Sequence, residues 1–195
     1  MEIYKTIILA IAAYFIGSIS FSYIITKKLT GKDIRNMHVK NAGAFNVAIS
    51  LNPIMGIIVG LMDSMKTLII VLAGKAFGLD PSQIIIAASF AIIGHCFPIY
   101  YHFYGGKGAA SAIGIFIYFI PLEFLISIIP SALIAKKCRD MGLTPVFFIV
   151  LSPILAYFFK KPHSILIPII YVVFLIGIIN LLIIVLKRDQ KLVPE

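Results

Sequence analysis

The four residues Gly105-Gly106-Lys107-Gly108 interrupt an otherwise apolar stretch with three glycines and one lysine. Glycine leaves backbone N–H groups unshielded and lets the chain turn them inward, and the lysine adds a mobile positive charge. From Ala109 the sequence is apolar and helix-forming, so the string is expected at a helix N-terminus, where free N–H groups and the helix dipole favour an anion such as phosphate. A turn carrying a lysine that reaches to a membrane surface accounts for the same residues. A nucleotide P-loop does not: no glycine stands five residues before Gly106, and Ala109 follows Gly108 where that motif needs Ser or Thr.

A second polar string, Asn41-Ala-Gly43-Ala-Phe-Asn46, places two amides around a glycine, a composition suited to a tight turn whose amides donate to an oxyanion. With Lys32, Arg35 and Lys40 it makes a second phosphate-compatible loop, although a polar turn between helices has the same composition. Asp63 and Lys66 lie three apart in an apolar run and so on one helix face, where they can neutralise each other. They read either as an ion pair that fixes helix packing or as substrate-binding groups. His95, just before Phe97-Pro98, is placed to orient the glycine string or to cap a buried polar pocket. His38, His102 and His163 lack partners at metal-ligand spacing, so no metal site is expected. Cys96 and Cys138 share no motif spacing and are expected to be packing residues, not a disulfide.

The elements that must position these groups are membrane helices. The chain has 195 residues, 61% hydrophobic and 13% charged, with a mean hydropathy of +1.04, more apolar surface than one soluble core of this size can hide. Apolar runs cover 7–26, 54–73, 83–101, 109–135, 143–159 and 164–186. The first is too long for a signal-peptide core and has only Lys5 before it, so it is expected to stay as a span. The net charge of +9 fits loops facing the cytoplasm better than nucleic acid, since no basic and aromatic surface of the RNA-binding kind is present.

If the 109–135 run crosses once, Lys and Arg divide eight against eight between the two sides and give no orientation. If it folds back near Pro121 as two short helices with Glu123 in the turn, the division becomes twelve against four. The expectation is therefore a single, all-α membrane domain over residues 1–195, with seven transmembrane helices, the N-terminus outside and the C-terminus and both polar loops cytoplasmic.

Read in order, Gly17-Ser18-Ile19 with Phe21, Lys32-Asp33-Ile34-Arg35, Asn41, Gly43 and Asn46, Asp63 with Lys66, and Gly94-His95-Cys96-Phe97-Pro98 through Phe103, Gly105, Gly106, Lys107 and Gly108 resemble the bacterial acyl-phosphate:glycerol-3-phosphate acyltransferases. The resemblance implies phosphate-holding cytoplasmic loops in a bacterial inner-membrane protein. It implies Lys107 as the catalytic cation and Asn41, Gly43, Asn46, His95, Gly105, Gly106, Gly108 and Asn180 as substrate-binding residues; Lys40 joins them only as a neighbouring replacement for a positive charge the pattern carries and this chain lacks. The partners would be acyl phosphate, glycerol 3-phosphate and the bilayer, with no cofactor, because a mixed anhydride is already activated.

The chain departs from that family's pattern at named positions. His38, Val39 and Lys40 stand in place of a glycine, serine and glycine, Phe45 in place of a threonine, and Ile49 in place of an arginine. Of a C-terminal His, Asn and Arg at helical spacing, Asn180 remains, flanked by Gly177 and Ile183. Three functions fit: an active acyltransferase, a lipid-binding or regulatory relative without turnover, and a transporter of phosphorylated solutes, the last without the internal repeat such folds often carry. Acyl-chain preference and oligomeric state are left open by the sequence.

Overall fold

A computed structural model of the chain describes residues 2–190, without the side chains of Glu2, Met141 and residues 187–190. Lys187 and Arg188, counted above in the charge balance, fall among those side chains, and Lys191 lies outside the described residues. The helices are α1 (Glu2–Gly17), α2 (Phe21–Thr30), α3 (Ala44–Ser50), α4 (Pro53–Ala76), α5 (Pro81–Cys96), α6 (Ala109–Phe119), α7 (Pro121–Lys137), α8 (Thr144–Phe158) and α9 (His163–Gln190). Short 3₁₀ turns occupy Ile34–Asn36, Ile99–Tyr101 and Met141–Leu143. No strand occurs among the described residues, and the fold is the all-α membrane bundle expected.

Helix boundaries follow local chemistry. Proline opens α4, α5 and α7, where its missing N–H costs nothing. Asn52 caps α4 by accepting from the Met55 N–H at 2.9 Å, and Asp80 caps α5 in a reciprocal box with Gln83. The 109–135 run breaks at Ile120–Pro121 into α6 and α7. Glu123 is not in a free turn as expected. It sits in the first turn of α7, buried, with Lys161 at 3.4 Å.

The first apolar run is also corrected: it breaks after Gly17 and restarts at Phe21, capped by the Ser20 hydroxyl. Gly17 and Gly94 are where α1 and α5 touch backbone to backbone, since a Cβ on either would run into Ala91 or Tyr14.

Contacts sort the helix termini onto two ends of the bundle. At one end Lys5 Nζ donates to Phe77 O (3.1 Å), Ser82 Oγ donates to Ser164 O (3.0 Å), and Lys161 meets Glu123. At the other end Ala42 N donates to Gly105 O (3.1 Å), Asn180 Nδ2 donates to Lys107 O (3.0 Å), and Gly142 lies against the Phe45 ring. The helices α1, α4, α5, α6, α7, α8 and α9 therefore run alternately between the two ends.

The core is formed by α1, α4, α5, α6 and α9 around Ala13, Val71, Ile85, Ile92, Ile115, Phe116 and Ile169, all nearly fully buried. Ile57, Leu61, Ile69, Phe174, Ile178 and Leu181 are exposed instead, an apolar exterior that requires lipid as its solvent. Segments 3–30, 53–76, 81–101 and 163–186 are long and apolar enough to cross a bilayer, while α6 and α8 are shorter.

Candidate functional site

The glycine string lies where the sequence placed it, at the start of α6. Gly108 is the N-cap residue, in the left-handed region at φ 86°. That conformation strains any residue with a Cβ, and a Cβ there would also press on Ile92 and Cys96. The string is held from three sides. Gly106 N donates to His95 O at 3.0 Å, Gly105 O accepts from Ala42 N, and Lys107 O accepts from Asn180 Nδ2. The Gly106 N–H is thus occupied by the protein, which narrows the expected cradle. The N–H groups of Lys107, Gly108 and Ala109 have no protein acceptor among the described residues. These three, beside the exposed Lys107 side chain, are open N–H groups at the N-terminus of α6, an arrangement chemically suited to an anion.

A cleft of about 170 Å³ opens against this string. Asn41, His102 and Lys107 supply its polar groups, and Phe97, Phe103, Ile183 and Leu186 line its apolar wall. A ligand suited to it joins an anionic head to a hydrocarbon tail. His102 and Phe103 are consecutive non-glycine residues at φ 57° and 61°, a strained link leading into Gly105.

The first loop supplies Asn41 and a scaffold around it. Asn46 is buried, and its amide is fully engaged: Nδ2 donates to Ile34 O and Asn41 O, both at 2.8 Å, and Oδ1 accepts from Val39 N and Ser50 Oγ. Asn46 therefore holds the loop and has no free hydrogen-bonding group for an oxyanion. Gly43 starts α3 next to the Asn41 side chain. Lys40 is exposed, at φ 53°, and is not part of the cleft lining. His38 is also left-handed, at φ 34°. His38 and Lys40 are the two positions where glycines stand in the pattern described above, so the loop keeps a glycine-type backbone without the glycines.

Arg35 proves to be a clamp. Its guanidinium pairs with Asp33 at 2.7 Å, donates to Tyr101 O at 2.8 Å, and lies 5.2 Å over the Tyr23 ring. The clamp ties the first loop to α2 and to the 99–101 turn. Burial alone would raise the Asp33 carboxyl, but hydrogen bonds and charge from Arg35 outweigh it and hold the group below the ordinary carboxylate value. Arg35 is correspondingly raised, chiefly by its hydrogen bonds to Asp33. The loop's composition alone points instead to a phosphate cation at Arg35. The carboxylate two residues earlier was the available signal for a clamp.

Beneath the string, Asp63, Lys66 and His95 are each at most 5% exposed. Lys66 Nζ lies 2.9 Å from Asp63 Oδ1, and donates to Gly17 O (2.9 Å), Ile19 O (3.0 Å) and His95 Nδ1 (3.2 Å). The Asp63 contact is a close ion pair whose angle is poor for a hydrogen bond. Lys66 thus satisfies carbonyls at the break between α1 and α2, a role that an unbroken span over 7–26 would not create. Cys96 is buried behind Gly108, whereas Cys138 is exposed at the end of α7, contrary to a packing role; both are free thiols.

On α9, Asn180 reaches the string, and Ile183 turns into the cleft. A Cβ on Gly177 would meet nothing within 4 Å, so the place of the pattern's histidine is open space. Val39, Phe45 and Ile49 are all exposed.

A sequence model of the glycerol-3-phosphate acyltransferase family matches residues 7–192. The glycerol-3-phosphate acyltransferase of Syntrophotalea carbinolica is 36% identical over 152 residues, covering 77% of this chain and 78% of that protein. That of Blochmanniella floridana is 36% identical over 163 residues, covering 84% and 83%. Among solved structures, the glycerol 3-phosphate form of the integral membrane acyltransferase PlsY superposes with a TM-score of 0.80 at 29% identity, covering 95% of this chain and 93% of that one. The lysophosphatidic acid form of PlsY does so at 0.77, with 27% identity and coverage of 94% and 93%. With the glycine string, the Asn41 loop and Asn180 converging at one end of a matching helical bundle, the chain belongs to the glycerol-3-phosphate acyltransferase family.

Proposed function

We propose that this chain transfers an acyl group from an acyl phosphate to a hydroxyl of glycerol 3-phosphate, giving lysophosphatidic acid and inorganic phosphate at the cytoplasmic face of a bacterial inner membrane. The observation that carries this is the cleft, in which unpartnered N–H groups and Lys107 adjoin an apolar wall. The acceptor hydroxyl oxygen attacks the acyl carbonyl carbon. The carbon–oxygen bond to phosphate then breaks, phosphate leaves with the bonding pair, and the hydroxyl proton goes to a phosphate oxygen of the substrates.

Lys107, together with the N–H groups of Lys107, Gly108 and Ala109, holds negative charge as it develops. Asn41 orients the bound anion from the opposite loop. Asn180 and His95 act behind the string and keep it in place. The donor is an activated anhydride, so positioning and charge stabilisation suffice and no cofactor is invoked.

The orientation in the membrane follows from charge. Lys27, Lys28, Lys32, Arg35, Lys40, Lys107, Lys136, Lys137 and Arg139 belong to the cleft end, and Lys5, Lys75, Lys160 and Lys161 to the other. The positive-inside rule then makes the cleft end cytoplasmic and the N-terminus external. The alternation of helix directions supports seven crossings, with α6 shielded by its neighbours: Ser111, Ala112, Ile115 and Phe116 are all buried.

Ile183 in the cleft wall and the open space at Gly177 favour a second reading, an acyl-binding relative without turnover. Purified protein given palmitoyl phosphate, with and without glycerol 3-phosphate, separates the two. Acceptor-dependent phosphate release is expected for the enzyme; donor binding with no release above background would establish the second reading.

A further inference from the structure

The buried ionic group under the string is not explained by membrane burial, which makes such charges expensive. Lys66 is donor-only, with three protons on Nζ. Two go to Gly17 O and Ile19 O, at 2.9 and 3.0 Å. The third faces His95 Nδ1 at 3.2 Å in hydrogen-bonding geometry, whereas Asp63 Oδ1, nearer at 2.9 Å, lies at a poor angle, so the geometry points to a lone pair on Nδ1. The rival arrangement, Nδ1–H donating to Asp63 Oδ1, has a separation of 3.5 Å, long for a hydrogen bond, and would aim a proton at the ammonium group. With its lone pair on Nδ1, a neutral imidazole carries its proton on Nε2.

The Nε2 edge is the part of His95 that faces the string. A Cβ added to Gly106 would collide with Nε2 and lie 2.8 Å from Cε1. The ring therefore fills the volume that the missing Gly106 side chain leaves, while the His95 carbonyl accepts from the Gly106 N–H at 3.0 Å. Ring and carbonyl together fix Gly106 in two directions. Lys66 fixes the ring from behind while it also binds the end of α1.

We propose that Lys66, held by Asp63, locks His95 neutral with its proton on Nε2, and that the locked ring is the positioning device that seats Gly106 and so sets the anion-binding string. His95 is on this account a positioning residue and not a general base, because its outward nitrogen has no lone pair to accept a proton. The kinetic part of the proposal rests on the acyltransferase reading; the tautomer does not.

Histidine labelled with ¹⁵N in the full-length protein, reconstituted in lipid nanodiscs, reads the tautomer directly by NMR, with the His95 signals identified by their loss in His95→Gln. Protonated Nε2 with bare Nδ1 is expected; protonated Nδ1, or an imidazolium near neutral pH, would overturn the lock whether or not the protein turns over.

The second arm compares His95→Gln, whose amide nitrogen reaches the Nε2 position, with His95→Asn, whose amide nitrogen falls near Nδ1. His95→Asn should lower kcat on the order of a hundredfold, the usual cost of displacing a site by about 1 Å, and His95→Gln should recover most of that loss. Equal loss in both variants, with both folded, would overturn the positioning role. If wild-type protein releases no phosphate, the acyltransferase reading fails while the NMR arm still decides the tautomer.

Discussion

Replacing Gly106 with alanine tests the seating of the anion site through one methyl group. The new Cβ would lie 2.8 Å from both Ala42 O and His95 Cε1, and closer still to His95 Nε2, against the 3.4 Å at which ordinary packing begins. Relieving the two longer contacts takes about 0.6 Å, the difference between 2.8 and 3.4 Å. The closer one brings the displacement to the order of 1 Å, large enough to lower catalysis about a hundredfold. Neither neighbour can yield cheaply. The ring is backed by Lys66 at 3.2 Å, and Ala42 is tied to Gly105 by its own N–H.

The string should therefore move, carrying the free N–H groups of Lys107 to Ala109 off the anion. A hundredfold fall in kcat/KM corresponds to about 2.7 kcal/mol of lost transition-state stabilisation. The assay is steady-state phosphate release from palmitoyl phosphate at varied glycerol 3-phosphate, on protein whose helicity by circular dichroism matches wild type. A folded Gly106→Ala protein with wild-type kcat/KM would refute the reasoning.

Lys107→Ala should reduce kcat by on the order of 10²–10³-fold, as loss of a charge-stabilising donor does, and leave the melting temperature unchanged, since the side chain is exposed. The Arg35 clamp sets an acid limit on stability. The folded-state pKa of Asp33 lies below its ordinary 3.8, so its stabilisation is complete above that ordinary value and is lost as pH falls through the lowered one. Melting temperatures of wild type and Asp33→Asn should therefore differ at neutral pH and converge only when the pH drops well below about 4.

Much of this arrangement is legible in the sequence where chemistry is local. Three glycines ahead of an apolar helix former announce a helix N-terminus, and Pro121 within an overlong run announces the break between α6 and α7. Roles that depend on partners far along the chain are not legible. The spacing of Asp63 and Lys66 gives their pairing but not the Gly17 and Ile19 carbonyls, which Lys66 reaches because the chain breaks between α1 and α2 and the carbonyls there need donors. Asn46 looks available because its sequence neighbours are polar, yet folding places the Ile34 and Asn41 carbonyls on its amide. The left-handed backbone of His38 and Lys40 is hidden for the opposite reason: residue type argues against it, and the loop imposes it.

The most direct test of the central claim is the product. Isotopically labelled glycerol 3-phosphate, incubated with palmitoyl phosphate and protein in proteoliposomes, should yield labelled palmitoyl lysophosphatidic acid by mass spectrometry, and Lys107→Ala should slow its formation on the order of 10²–10³-fold. Absence of that product from folded wild-type protein that still binds palmitoyl phosphate would contradict acyl transfer at the glycine string.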